Sequence, residues 1–179
     1  MVAHLPWGLA PRPFGRGDSP ARPVTLAGNR PGTAMARNAM HFDHVFKAPR
    51  EAVFRLCAGH ESMGAMFPGK STNARPSTDP DWPDGLGSIR HVKMGPFPPV
   101  VEQVTVFAPY ERYEYRVIGG GPIKNHVGIM RFSDVVEGTR LEYTVTFDGR
   151  LPFTGWLIQQ LIYPMFAQAF VNLHKTLDR

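Results

Sequence analysis

Residues 140–177 read RLEYTVTFDGRLPFTGWLIQQLIYPMFAQAFVNLHKTL, and a change of period inside this stretch decides the fold. Leu141, Tyr143, Val145 and Phe147 alternate with Arg140, Glu142, Thr144, Thr146 and Asp148, the two-residue repeat of a strand with one oily and one wet face. From Thr154 to Leu177 the repeat becomes helical. Ile158, Leu161, Ile162, Met165, Ala169, Leu173 and Leu177 predict an apolar stripe along about six turns of helix, with Thr154 as its N-cap. Pro164 removes one internal hydrogen bond and predicts a kink near Leu161. A half-oily strand followed by a long helix with an oily stripe implies that the helix covers the sheet.

Upstream, the same alternation recurs. GSIRHVKM (87–94), VVEQVTVF (100–107), ERYEYRVI (111–118) and HVGIMRFSDV (126–135) predict further strands, separated by the turn-forming words GPFPP, APY and GGGPIKN. Links this short join antiparallel neighbours, because parallel pairs need long crossovers. Tyr113, Tyr115 and Val117 share one face of their strand, and Arg112, Glu114 and Arg116 the other. MHFDHVFKAP (40–49) predicts the first strand, with Pro49 suited to open a helix over REAVFRLCA (50–58). A second short helix is expected over ESMGAMF (61–67). The polar run KSTNARPSTDPDWPD (70–84) has room for one irregular edge strand and a loop. The expected class is therefore α+β, a curved antiparallel sheet of six or seven strands around a long C-terminal helix, in the order β-α-α-β(n)-α.

A chain of 179 residues with this composition suits one globular domain. Residues 1–40 carry five arginines against one aspartate and so hold four of the five net positive charges. With six prolines, five glycines and no period, that segment reads as a disordered tail, or as translation assigned upstream of a natural start at Met35 or Met40. The domain is expected over residues 41–179, with charges too mixed for a phosphate-binding stripe, so no nucleic-acid partner is expected. No run approaches the roughly 20 apolar residues of a membrane span, and the N-terminus lacks the apolar core of a secretory signal. Integral membrane association is not expected, and a cytoplasmic location is.

The lone Cys57, among apolar helix residues, reads as core. The histidines at 41, 44, 60, 91, 126 and 174 are dispersed and form no ligand pair, so no metal is predicted. GGGPIK lacks the spacing of a phosphate loop, there is no Gly-x-Ser-x-Gly elbow, and no cofactor is expected.

Several polar residues are expected on the oily side. Glu102 alternates with Val104 and Val106, and Arg90 with Val92 can face it from the preceding strand; a one-residue slip would turn Glu102 to water. A buried carboxylate is costly unless paired, so Arg90 and Glu102 read either as a ligand anchor or as an ion pair that fixes register. Asn172 lies on the helical stripe, His126 opens a strand, and Tyr113, Tyr115 and Tyr143 are packing aromatics whose hydroxyls can reach a cavity.

The words KAPREAVFRL, GLGSIRHV, VVEQVTVFAPYERYEYRVIGG and EGTRLEYTVTF, in this element order, resemble the START-like (SRPBCC, helix-grip, Bet v 1-like) superfamily, and within it the polyketide cyclase/dehydrase and lipid-transport family. The resemblance implies a helix-grip fold with an apolar cavity between sheet and final helix. The chain is also similar to plant abscisic-acid receptors of that superfamily. By that likeness Glu102, His126 and Asn172 match pocket positions, and GPFPP sits where those receptors have a gate. The receptors' pocket lysine has no counterpart in KSTNARPS and a serine is replaced by Gly128, so abscisic acid is not implied.

Three functions follow as expectations. In the first, a wide cavity lined by Met130, Phe132, Tyr115, Tyr143, Val145, Phe147 and the final helix, Met165 included, binds a small hydrophobic molecule such as a lipid, polyketide or aromatic metabolite. In the second, the same cavity is a cyclase or dehydratase in which Glu102, His126 or a tyrosine moves protons, the catalytic residue being unassigned. In the third, the nearly all-apolar run from Trp156 to Phe166 marks the surface of a homodimer without chemistry.

Overall fold

The computed structural model describes residues 24–25, 38–62, 69–94 and 96–178. Eight strands, β1 (Val24–Thr25), β2 (Asn38–Phe46), β3 (Gly69–Arg75), β4 (Ile89–Met94), β5 (Val100–Ala108), β6 (Arg112–Gly120), β7 (Ile123–Val135) and β8 (Gly138–Gly149), accompany two helices, α1 (Arg50–Ala58) and α2 (Thr154–Leu177). The main path of the antiparallel sheet runs β2-β8-β7-β6-β5-β4-β3, with β1 paired to β5 beyond the end of β4. The strand expected from Met40 is β2, which starts at Asn38. Within residues 1–40, Val24–Thr25 form β1 and residues 38–40 belong to β2; the rest lies outside the described residues, as does most of the second short helix, of which residues 60–62 are helical. No helix among the described residues is long and apolar enough to cross a membrane.

Period-two burial carries the sheet. Leu141, Tyr143, Val145 and Phe147 of β8 and His126, Gly128, Met130 and Phe132 of β7 all point inward. α2 lies across this face at β2 and β8 through an aromatic seat. Phe42 of β2 stacks on Phe166 at 5.3 Å and meets Phe170 at 5.0 Å, and Tyr143 meets Phe166 at 5.8 Å. The far end of α2 is tied to β2: His174 meets His44 (3.2 Å) and Asp178 (2.7 Å), and Asp178 accepts from the backbone N–H of Lys47 (2.8 Å).

The other end of the inner face is closed by α1. Its Phe54 makes edge contacts with Phe107 at 5.7 Å, Tyr113 at 6.4 Å and Phe132 at 5.1 Å, and Trp82 from the loop after β3 packs beside them. Cys57 of the same helix is buried, its thiol pushed up to about 12 by burial, and belongs to this core.

Four expectations are corrected. A bulge between Val104 and Val106 adds a residue to β5, so Phe107 joins the core in place of Val106. The buried stripe of α2 is Ile158, Ile162, Phe166, Ala169, Phe170 and Leu173, while Leu161 is exposed. Leu177, expected on the buried stripe, is only partly buried, though packed against the core. The N-cap is Phe153 in left-handed backbone (φ 62°), and Thr154 is already helical, its hydroxyl donating to Leu151 O at 2.8 Å.

Candidate functional site

The two helices divide the inner face of the sheet. α1 fills one end, α2 spans the other, and the interior space lies on the α2 side. There a cavity of about 60 Å³ is walled by Val100, Tyr115, Ile123, Tyr143, Val145 and Phe147 of the sheet and Ile162 and Phe166 of α2, with Glu102, His126 and Ser71 as polar members. Lys70 and Lys93 stand at its rim with their side chains largely in solvent. The wide hollow expected from the sequence is corrected: a water needs roughly 10–15 Å³ by this measure, so the space holds a few waters, whereas ligand sites run to about 300–1,000 Å³. Aromatic rings from α2 and β2 fill the rest.

Polar groups gather at one end. Arg90 and Glu102 are direct partners across β4 and β5, both buried, and Arg90 Nε donates to Glu102 Oε2 at 2.7 Å. The guanidinium lies 4.7 Å from the centre of the Tyr115 ring, and its Nη1 donates to Tyr113 OH at 3.5 Å. Tyr113 OH in turn donates to Asp84 O at 3.5 Å. Burial pulls the Arg90 pKa down, but the surroundings of Tyr113, Glu102 and Tyr115 outweigh it, so the pKa lies above the ordinary value and the charge stays. The hydroxyls of Tyr115 and Tyr143 touch one another. Burial is the main cause that raises both phenols well above 10, so each keeps its proton and can donate it to only one partner.

His126 packs against Tyr115 with ring centres 5.4 Å apart. Burial lowers its pKa below 6.5; nearby Glu102 opposes this and Arg90 adds to it, leaving a neutral imidazole near pH 7. Buried polar atoms without a hydrogen-bond partner among the described residues gather here too: His126 Nδ1 and Ser71 Oγ on the cavity residues, and Arg90 Nη2 behind Glu102. Such atoms each cost about 1–3 kcal/mol unless something bonds them. Gly128 is needed for this packing. A Cβ there would come within 2.4 Å of the Tyr115 ring, so glycine is what lets that ring lie flat on β7.

Of the residues singled out from sequence, Glu102, Tyr115, His126, Tyr143 and Val145 line the cavity together with Phe147. The others do not. Arg90 sits behind Glu102. Tyr113, Met130 and Phe132 belong to the core cluster, with Tyr113 and Phe132 directly against Phe54, because α1 covers that end of the sheet. Met165 is half-buried off the stripe, and Asn172 accepts from Gln168 Nε2 at 3.1 Å along the helix. In the GPFPP loop, Gly95 lies outside the described residues; Phe97 packs on the core and its carbonyl accepts from Lys93 Nζ at 3.0 Å. Sequence reasoning missed Ser71, Val100, Ile123 and Phe166, while Ile162 is on the expected helical stripe. Ser71 pairs with the readable Val92, but a register shift between Asn73 and Arg75 hides which β3 residues follow it.

Two predictions follow from this geometry. Glu102→Leu alone leaves a buried guanidinium unpaired and should cost about 3–5 kcal/mol in urea melts, whereas adding Arg90→Met should restore much of that loss. Additive costs would show that the pair is not coupled. For His126, a folded pKa below 6.5 means that the unfolded chain binds the proton more readily. Its burial therefore contributes stability fully above pH 6.5, lost as pH falls through the folded pKa. His44, lowered by burial and by His174, has the same sign. His126→Phe should flatten the stability slope below pH 6.5 by up to about 1.4 kcal/mol per pH unit relative to the parent, measured by thermal melts.

The family model for "Polyketide cyclase / dehydrase and lipid transport" matches residues 40–178. No curated protein matches the chain. Among solved structures, the chain is similar to TTHA0849 from Thermus thermophilus (19% identity, TM-score 0.59, covering 79% of this chain and 94% of that one). It is similar to Ara h 8.0201 at 15% identity and TM-score 0.54, over 74% of this chain and 93% of that one. It also resembles the Aha1 dimer from Colwellia psychrerythraea, at 12% identity and TM-score 0.57 over 79% and 96% of the two chains. Likeness at these identities establishes the helix-grip fold of the α+β class, and the family match adds support for a hydrophobic ligand-binding fold.

Proposed function

Since the chain belongs to the polyketide cyclase/dehydrase and lipid-transport family, we propose that it binds a compact hydrophobic molecule carrying one oxygen function, seated between the sheet and α2. The observation that carries this reading is the pair of orphaned polar atoms, His126 Nδ1 and Ser71 Oγ, at a cavity whose other walls are mostly apolar. A carbonyl or hydroxyl on the guest would satisfy them, and its ring or short chain would lie among Val145, Phe147, Ile162 and Phe166. A cavity of about 60 Å³ admits such a guest only if its walls yield. The movable wall is α2, held to β2 and β8 by side-chain packing rather than by a ladder of backbone bonds. Compact aromatic or polyketide-type guests fit this reading better than long-chain lipids, because each added methylene demands further displacement of packed rings.

Native mass spectrometry of the purified chain, with thermal shifts against a panel of aromatic, polyketide and lipid compounds, tests the reading. A guest at a hundredfold its Kd should add about 2.7 kcal/mol of stability, a rise of roughly 5–10 °C. Tyr143→Phe, which removes one polar contact, should weaken binding about tenfold. No co-purified molecule together with no shift across the panel would refute it.

A second reading rests on the neutral imidazole of His126, whose Nδ1 has no hydrogen-bond partner among the described residues. His126 Nδ1 is free to take a proton from a carbon beside a guest's carbonyl, while a tyrosine hydroxyl donates to the oxygen that gains the electron pair. That is the first step of a ring-closing condensation. His126→Ala should abolish turnover of a poly-β-keto substrate yet leave binding of its reduced analogue within a few fold; equal turnover by parent and variant would exclude the histidine as base.

A further inference from the structure

Six of the ten large hydrophobic residues left exposed among the described residues lie between 151 and 163: Leu151, Phe153, Trp156, Leu157, Leu161 and Tyr163. Phe153 is the extreme, 95% exposed and held at φ 62° at the start of α2. An aromatic ring in water and a bulky side chain in left-handed backbone are both unfavourable, and at that exposure the ring returns nothing to the fold. The turn beneath it is nonetheless built. Arg150 donates through Nε to Ile123 O (3.2 Å) and through Nη2 to Gly120 O (3.1 Å), and Thr154 Oγ1 donates to Leu151 O. A fixed turn thus presents an apolar tip to solvent.

Under the tip runs a groove of about 490 Å³ that brings Leu151, Pro152, Phe153 and Trp156 together with Lys124 and Arg150. The acid in the groove, Asp148, accepts from Asn125 Nδ2 at 2.9 Å. Along α2 no aspartate, glutamate, lysine or arginine occurs before Lys175, so the apolar face extends from the tip without an acid to repel an anion. Groove and cavity are neighbours in the chain: Ile123 and Phe147 line the cavity, and the next residues, Lys124 and Asp148, line the groove.

We propose that the Phe153 tip, with Trp156, Leu157 and Leu161 behind it and Lys124 and Arg150 beside it, docks the chain onto an anionic lipid surface. Aromatic and aliphatic residues on one face with cations at the flank are what the interfacial zone of a bilayer accepts. A second copy fits less well. A two-fold contact sets the same patch against itself, bringing Lys124 and Arg150 toward their own counterparts, and a projecting tip is not self-complementary. An anionic bilayer reverses the sign of the charge interaction and yields to the tip. The inference does not rest on the cavity reading: vesicle binding without uptake of a guest would keep the one and defeat the other.

The test is co-sedimentation of the full chain with vesicles of phosphatidylcholine alone and of phosphatidylcholine mixed with phosphatidylserine. The parent should partition onto the mixed vesicles, more weakly as salt is raised. Phe153→Gly removes the ring and relaxes the left-handed backbone, so the fold is kept or strengthened while partitioning should fall about tenfold or more. Trp156→Ser should do the same, and Lys124→Glu should remove the preference for the anionic vesicles. A parent chain that stays in the supernatant with both vesicle types overturns the proposal. So does a parent chain whose sedimentation shows a dimer that Phe153→Gly dissolves, since the covering surface is then a second copy.

Discussion

The seating of α2 by Phe42, Tyr143, Phe166 and Phe170 is the contact on which the remaining structure depends. Ring centres of 5.0–5.8 Å leave little freedom between the helix and strands β2 and β8. Because α2 is joined to the sheet here mainly by such packing, with Gln159 Nε2 donating to Ala39 O of β2 at 3.2 Å, its height above the sheet is set by ring thickness, and the cavity is what remains. A guest that lifts the helix must separate these rings, giving up packing worth on the order of 0.5–1.5 kcal/mol per aromatic pair beyond area burial. Affinity in this chain is therefore a contest between the guest's own burial and the seat it disturbs.

The polar end of the cavity obeys a different constraint. Arg90 and Glu102 lie where the sheet offers no water, and each is tolerable only because the other is there. Their pairing also positions the neighbouring rings: the guanidinium spreads over Tyr115, Tyr115 leans on the bare backbone of Gly128, and its hydroxyl meets that of Tyr143. The ion pair that fixes register and the polar end of the cavity are thus one arrangement seen from two sides. Glu102 reaches the cavity, while Arg90 remains behind it.

What the sequence made legible follows from periodicity. The strands of β4 to β8 and the span of α2 emerged from two-residue and helical repeats, which local sequence carries in full. Alternation with Val104 points Glu102 inward but leaves a one-residue slip open, and only the pairing of Arg90 with Glu102 across β4 and β5 closes it. The exchange of Val106 for Phe107 was not readable, since a bulge is a property of the strand pair and leaves no mark on one strand. The phase of α2 escaped for another reason. With no charged residue before Lys175, Leu161 and Phe166 compete for the same stripe, and only the shape of the partner face decides between them. Tyr113 and Phe132 read as cavity residues because both sit on the oily face of their strands. Where α1 lands on that face is a tertiary fact, and it converts their half of the hollow into core.

The same absence of charge that hid the phase of α2 gives the helix two working faces. Ile158, Ile162 and Phe166 face the sheet, and two of these wall the cavity; Trp156, Leu157 and Leu161 face away from it within the same turns. A helix that only covered a core would gain solubility from lysines and glutamates on its outer side, at little cost to the inner one. Here the outer side stays uncharged over the same turns that wall the cavity, with Gln160 as a polar member, and has cations only at its flank. Any surface that takes hold of the outer face therefore pulls on the element whose displacement enlarges the cavity. If the outer face docks as proposed, the docked surface and the cavity wall are two sides of one helix, so a change at either is felt at the element they share.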